Sequence, residues 1–183
     1  EYLAKTIQNT TDTRDIDIVI PVPDTSKPAA LEISRILNKP YSEAITKNRY
    51  SKRTFIMDTQ DKRIKNIKRK LNVINHLVVN KNVLIVDDSI VRGNTIRYII
   101  DLLKENNVSK IFVASSSPEI INTNQYGIDI PNKEELICYQ KTNEEIETYL
   151  GIEKIIFQKI SDLERSIQTI NPSITHFEKS MLL

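Results

Sequence analysis

An α/β fold on a mainly parallel sheet, flanked by helices, is what the 183-residue sequence predicts. Short β-rich runs recur, and segments with helical apolar spacing alternate with them. The run Val83-Leu84-Ile85-Val86 is apolar without interruption, as in a parallel strand covered on both faces. Polar clusters rich in Asp, Ser and Thr follow the strands, where ligand-binding loops of α/β sheets lie. The length suits one domain spanning 1–183.

The elements follow in order. Ile16 to Val22 is a β-rich run, and Pro23-Asp24-Thr25-Ser26-Lys27 is a polar turn after it. Pro28 to Leu37 reads as a helix, with Pro in its first turn and Ala30, Ile33, Ile36 and Leu37 at helical spacing. Asn38-Lys39-Pro40 ends it, and Tyr41 to Ile45 is a brief extended piece. A polar stretch from Lys47 to Asn72 follows, whose later part, Asp61 to Leu71, carries Ile64, Ile67 and Leu71 on one face of a basic helix. Val83 to Val86 is a strand, Ser89 to Thr95 a loop, and Ile96 to Glu105 a helix. Lys110 to Ala114 is a further strand. Helical patterns are predicted at Lys133–Tyr139, Asn143–Leu150 and Asp162–Ile170, with a strand at Ile155–Phe157.

Composition excludes several classes. Apolar residues make up 39% and charged residues 27%, the balance of a globular chain with no apolar run of membrane-spanning length. Average usage would supply roughly 13 glycines at this length. The three present, at 93, 127 and 151, cannot build a G-x-G-x-x-G or G-x-x-x-x-G-K nucleotide loop. Cys138 is alone, which points to a reducing, cytoplasmic compartment, and its helix-like apolar setting suits a buried small hydrophobe. His76 and His176 lie far apart with no ligand at zinc spacing. No signal peptide is visible.

Chemistry concentrates in Val83 to Thr95. A buried strand delivers Asp87 and Asp88 to its C-terminal end, and the next loop opens a helix whose free N–H groups suit an anion. Ser89, Asn94 and Thr95 add side-chain donors, and Gly93 allows close backbone approach. Two carboxylates alone more often just end a strand. With the apolar run before them and the Ser/Gly/Thr loop after them, a phosphate cup beside a diol- or magnesium-binding pair is the better reading. In a parallel sheet the Pro23–Lys27 turn emerges on the same edge and offers a second anion site.

Charge adds a third feature. Lys47 to Lys70 holds ten basic residues and two acidic ones, a local +8 that leaves −6 on the rest of a +2 chain. Tyr50 and Phe55 are too sparse for a base-stacking platform, so a mobile basic loop closing over a small polyanion fits better than a nucleic-acid groove.

Segment 83–95 resembles the phosphoribosylpyrophosphate signature of type I phosphoribosyltransferases. The strings Lys47–Ile56, Arg69-Lys70-Leu71-Asn72, Ser117-Pro118-Glu119-Ile120 and Tyr126-Gly127-Ile128-Asp129 narrow this. Together they are similar to the C-terminal half of the amidophosphoribosyltransferase family, from about Ile16 to Glu178. The resemblance implies the type I phosphoribosyltransferase fold. It also implies conversion of 5-phosphoribosyl-1-pyrophosphate and ammonia to 5-phosphoribosylamine and pyrophosphate, which opens de novo purine synthesis.

By the same resemblance, Ser89, Ile90, Val91, Arg92, Gly93, Asn94 and Thr95 hold the 5-phosphate, and Asp87 and Asp88 the ribose diol and magnesium. Thr25 is associated with the metal, with Ser26 beside it in the pyrophosphate loop. Lys47, Arg49, Tyr50, Arg53 and Lys70 belong to a flexible loop closing over the site, with Arg53 and Lys70 near the pyrophosphate. Purine nucleotide inhibition and a homo-oligomer are expected; nucleic-acid and membrane partners are not.

Two departures stand out. The family's glutaminase domain uses an N-terminal Cys, whereas this chain starts at Glu1 with Cys138 alone, so the expectation is half of a longer enzyme whose glutaminase domain is absent from this chain, or one using free ammonia or a partner subunit. One Cys cannot ligate the iron–sulfur cluster of some members, which implies a cluster-free form. Competing readings are a nucleobase phosphoribosyltransferase, a phosphoribosylpyrophosphate-sensing regulatory domain and a catalytically silent domain. The first lacks a hood long enough upstream of Ile16, and the second lacks a helix-turn-helix extension.

Overall fold

Strands covered on both faces need apolar side chains on alternate residues of both parities, and the sequence supplies them. The structure, a computed structural model, describes residues 1–47, 71–124 and 132–182. Its main sheet joins β1 (Ile18–Pro21), β4 (Asn82–Asp87), β5 (Lys110–Ser115) and β6 (Lys154–Phe157), all parallel, in the order β1-β4-β5-β6. Ile18, Ile20, Val83, Ile85, Ile111, Val113, Ile155 and Phe157 share one core cluster. Val19, Leu84, Val86, Phe112, Ala114 and Ile156 share the other. This period-two split gives the two cores of a three-layer α/β arrangement.

Helices cover both faces. α4 (Asn94–Glu105) and α5 (Asn143–Leu150) pack on the first, through Ile96, Ile99, Ile100 and Leu103, and through Ile146 and Leu150. α1 (Tyr2–Thr10) and α2 (Lys27–Leu37) pack on the second, through Leu3, Ala4 and Ile7, and through Ala30, Ile33 and Leu37. Pro28 lies in the first turn of α2, where a missing N–H costs nothing, and Asn38 ends the helix with φ 52°. Thr142 and Glu145 form a reciprocal cap on α5. α6 (Ile160–Ile170) lies beside α1, with Arg165 over the Tyr2 ring.

A separate antiparallel pair joins β2 (Ile45–Lys47) to β3 (Leu71–Val73), and α3 (Asn75–Val78) follows it. Leu71 therefore belongs to a strand, opposite Lys47, and not to the end of a helix. The rest of the helix expected over Asp61–Leu71 lies outside the described residues, as does most of the basic loop.

Other departures have local causes. α4 begins at Asn94, two residues early, because the Arg97 N–H reaches the Gly93 carbonyl at 2.9 Å and closes a turn there. The pattern at Lys133–Tyr139 is helical only as a 3₁₀ turn at Lys133–Glu135. The Ile137 N–H donates to the Val91 carbonyl at 2.9 Å, so the helical bond to residue 133 is not made. α1 and α3 were not anticipated. Among the described residues no helix is long and apolar enough to cross a membrane.

Leu84 is fully buried in the central strand β4. Leu84→Ala is expected to cost about 3 kcal/mol of stability, read as a lower urea midpoint with an unchanged slope.

Candidate active site

Pairing of β1 with β4 puts Pro21 opposite Val86, and the Val22 N–H extends the ladder to the Val86 carbonyl at 2.8 Å. Both strands run the same way, so the Pro23–Lys27 turn and the Asp87–Thr95 segment leave the sheet side by side at its C-terminal edge.

The two carboxylates differ in setting. Asp87 is buried and accepts the Asp88 N–H at 2.9 Å, while Asp88 is exposed and accepts the Ser89 N–H at 2.7 Å. Burial, helped by the neighbouring Asp88 charge, pushes the Asp87 carboxyl up to about 7. Ser116, from the loop after β5, fixes the backbone beneath them: its N–H and hydroxyl both reach the Asp87 carbonyl, at 2.9 and 3.0 Å. Nothing in the sequence pattern marks Ser116 for this role.

The 89–95 segment turns from strand to helix around Gly93, whose φ of 77° is the left-handed region that favours glycine. A Cβ there would also lie 2.5 Å from Ile137 Cδ1. Ile90 points into the core, so only its backbone is available to a ligand. Asn94 and Thr95 are the first residues of a twelve-residue helix, where unpaired N–H groups and the positive dipole end favour an anion. Ser89, Val91 and Arg92 are half-buried, and Arg92 Nε donates to Glu135.

In the first turn Thr25 is exposed. Ser26 is buried and its hydroxyl donates to the Val22 carbonyl, so that proton holds the turn together. Lys27 pairs with Glu43 at 2.7 Å and lies 3.7 Å from Asp24. Lys47, carried in by β2, comes within 4.0 Å of the same Asp24. Arg49, Tyr50, Arg53 and Lys70 lie outside the described residues, as do Tyr126–Asp129.

Asp87 and Asp88 offer hard oxygen donors, the type magnesium prefers, and magnesium commonly takes one or two carboxylates together with substrate oxygens. Among the described residues no group of three or more His, Cys, Asp or Glu could hold a metal alone, so the pair fits an ion that arrives with phosphate oxygens. Cys138 is buried in the core and outside any α-helix; burial pushes its thiol up to about 12. Beside Asp88 opens a cleft of about 320 Å³, walled by Ser116, Ser117, Pro118, Leu163 and Met181.

Comparison with known proteins adds a second kind of support. The Phosphoribosyl transferase domain family matches residues 1–118. The chain is 49% identical over 170 residues to the amidophosphoribosyltransferase of Pasteurella multocida, covering 93% of this chain and 34% of that protein. It is 48% identical over 167 residues to that of Haemophilus influenzae, covering 91% and 33%. The chain thus spans about a third of the length of these relatives. Its structure superposes with a TM-score of 0.75 on the glutamine phosphoribosylpyrophosphate amidotransferase from B. subtilis complexed with ADP and GMP. That match is at 33% identity and covers 98% of this chain and 38% of that one.

Two outcomes follow. A carboxyl whose folded pKa is raised keeps a proton that the unfolded chain has lost, so Asp87 lowers stability as pH rises from about 4 through about 7. In metal-free protein Asp87→Asn removes that fall. Its advantage over the parent is expected to be absent at pH 4 and on the order of 2–4 kcal/mol above pH 7, measured by urea unfolding across pH. Gly93→Ala is expected to cost about 1–2 kcal/mol, from the strained φ and the Ile137 overlap, read as a fall in Tm.

Proposed function

Because the chain belongs to the Phosphoribosyl transferase domain family, we propose that it carries the phosphoribosyl-transfer half of an amidophosphoribosyltransferase. The reaction is attack of ammonia on C1 of 5-phosphoribosyl-1-pyrophosphate, giving 5-phosphoribosylamine and pyrophosphate. The observation that carries the reading is the pair of anion-binding loops on adjacent parallel strands, with two carboxylates between them. A substrate with a phosphate at one end and a pyrophosphate at the other matches that spacing of charge.

Roles follow from position. The N–H groups of Ile90 to Thr95, with the Ser89, Asn94 and Thr95 side chains, take the 5-phosphate. Asp87 and Asp88 accept from the ribose hydroxyls or hold magnesium, which bound there supplies positive charge to the departing pyrophosphate. The turn at Thr25 and Ser26, with Lys47 beside it, takes the pyrophosphate. The similarity to the relatives extends this role to Arg49, Tyr50, Arg53 and Lys70. Bond breaking builds positive charge on the sugar and negative charge on the leaving group, so placed charges suffice and no enzyme nucleophile is required.

The buried, high-pKa thiol of Cys138 gives this chain no means of hydrolysing glutamine through that residue. Ammonia comes free in solution, or from a glutaminase domain of the kind expected in the longer relatives. Purine nucleotides, which share the 5-phosphate, compete for the 89–95 cup, and the reaction places the chain in the cytoplasm.

The test is pyrophosphate release on mixing the protein with phosphoribosylpyrophosphate, magnesium and ammonium chloride. Release is expected to require ammonium, to be indifferent to glutamine, and to fall at least about 100-fold in Asp87→Asn. Substrate binding without turnover would favour a sensing or silent domain, and turnover with adenine or hypoxanthine would overturn ammonia as the acceptor.

A further inference from the structure

Three consecutive residues of the 89–95 loop are each held by a different group from the 135–137 segment. The Val91 carbonyl accepts the Ile137 N–H at 2.9 Å. Arg92 Nε donates to Glu135 Oε2 in an ion pair whose side chains are only 23% and 34% exposed. Gly93 lies over the Ile137 side chain, with no room for a Cβ between them. The sequence places these groups more than forty residues apart and gives the loop one glycine with which to shape itself. We infer that Glu135 is a positioning residue: through Arg92 it holds the loop in the shape whose N–H groups receive the 5-phosphate.

This rests on the phosphate role proposed for the loop. The Glu135 carboxylate is engaged by Arg92, and it acts as an outer ligand does in orienting the groups that do the binding. Removing it has two opposing effects. Arg92 loses this carboxylate, which leaves more positive charge near the phosphate site and favours binding, but water reaching the part-exposed guanidinium weakens that gain. Residues 91–93 also lose one of the restraints set by the 135–137 segment, and the N–H groups of the loop depend on their shape. Ordering them on binding then costs affinity. The second effect prevails, because it acts on direct hydrogen bonds and the first on a screened charge.

The experiment compares Glu135→Ala, Glu135→Gln and Glu135→Asp with the parent at 0.15 M salt, and uses Glu134→Gln, an exposed neighbour, as control. Ribose 5-phosphate affinity is read by calorimetry and steady-state kinetics by pyrophosphate release. Glu135→Ala is expected to raise both the ribose 5-phosphate Kd and the phosphoribosylpyrophosphate KM about tenfold, leaving kcat and the ammonia KM within about twofold. Glu135→Gln should lie between, and Glu135→Asp and Glu134→Gln close to the parent. Should Glu135→Ala fail to fold, Glu135→Gln carries the comparison.

Unchanged or tighter binding in Glu135→Gln would overturn the inference, and so would an equal loss in kcat and both KM values, the mark of general disorder. A parent that binds ribose 5-phosphate without turning over contradicts the proposed reaction, while the Kd series still judges Glu135. A parent that does not bind it at all overturns both.

Discussion

The parallel register of β1 on β4 is the constraint on which the rest depends. Val22 and Val86 are joined by a backbone hydrogen bond across 64 positions of sequence, and each strand then runs directly into a polar loop. Because both strands are apolar on both faces, the sheet is buried up to its last residue, and burial stops abruptly at the strand end. Asp87 lies just inside that boundary and Asp88 just outside. One residue of displacement separates a carboxyl near neutrality in its proton affinity from one open to solvent.

The 89–95 loop has its shape imposed from outside. A glycine-rich nucleotide loop bends through its own permissive residues. This one has a single glycine and is braced by Ser116 under the carboxylates and by Glu135 and Ile137 under residues 91–93. The bracing also explains why 133–139 is not an α-helix: the Ile137 N–H and the Glu135 carboxylate serve the loop, and the segment keeps only short turns of its own, such as Leu136 N–H to the Lys133 carbonyl. A segment apolar enough to be helical is diverted by a carbonyl that would otherwise be unpaired.

Legibility in the sequence follows the range of the forces involved. β1, β4, β5 and β6 could be read because two-sided burial writes an apolar run into each. α2, α4 and α5 could be read because a stripe such as Ile96-Ile99-Ile100-Leu103 has only one regular conformation that buries it. That the loops after β1 and β4 leave the same edge of the sheet could be read from the predicted parallel pairing. The β2–β3 pair could not, since three residues at Ile45 and three at Leu71 carry no signal of each other. Nor could the Arg92–Glu135 pair or the Ser26 hydroxyl bound to Val22, which exist only once the chain has folded. α1 escaped because Leu3, Ala4 and Ile7 make too short a stripe ahead of the first strand.

The small β2–β3 pair has a consequence for how this architecture can vary. It pins Lys47 opposite Leu71, two residues 24 positions apart in the sequence, so the described chain breaks off and resumes at one place. The entropy of closing a flexible loop grows only logarithmically with length, about 0.6 kcal/mol for each doubling. A change of length between two strands paired in this way leaves the sheet register almost unaffected in free energy. The pairing thus lets the register of the main sheet stand apart from the number of residues between Lys47 and Leu71.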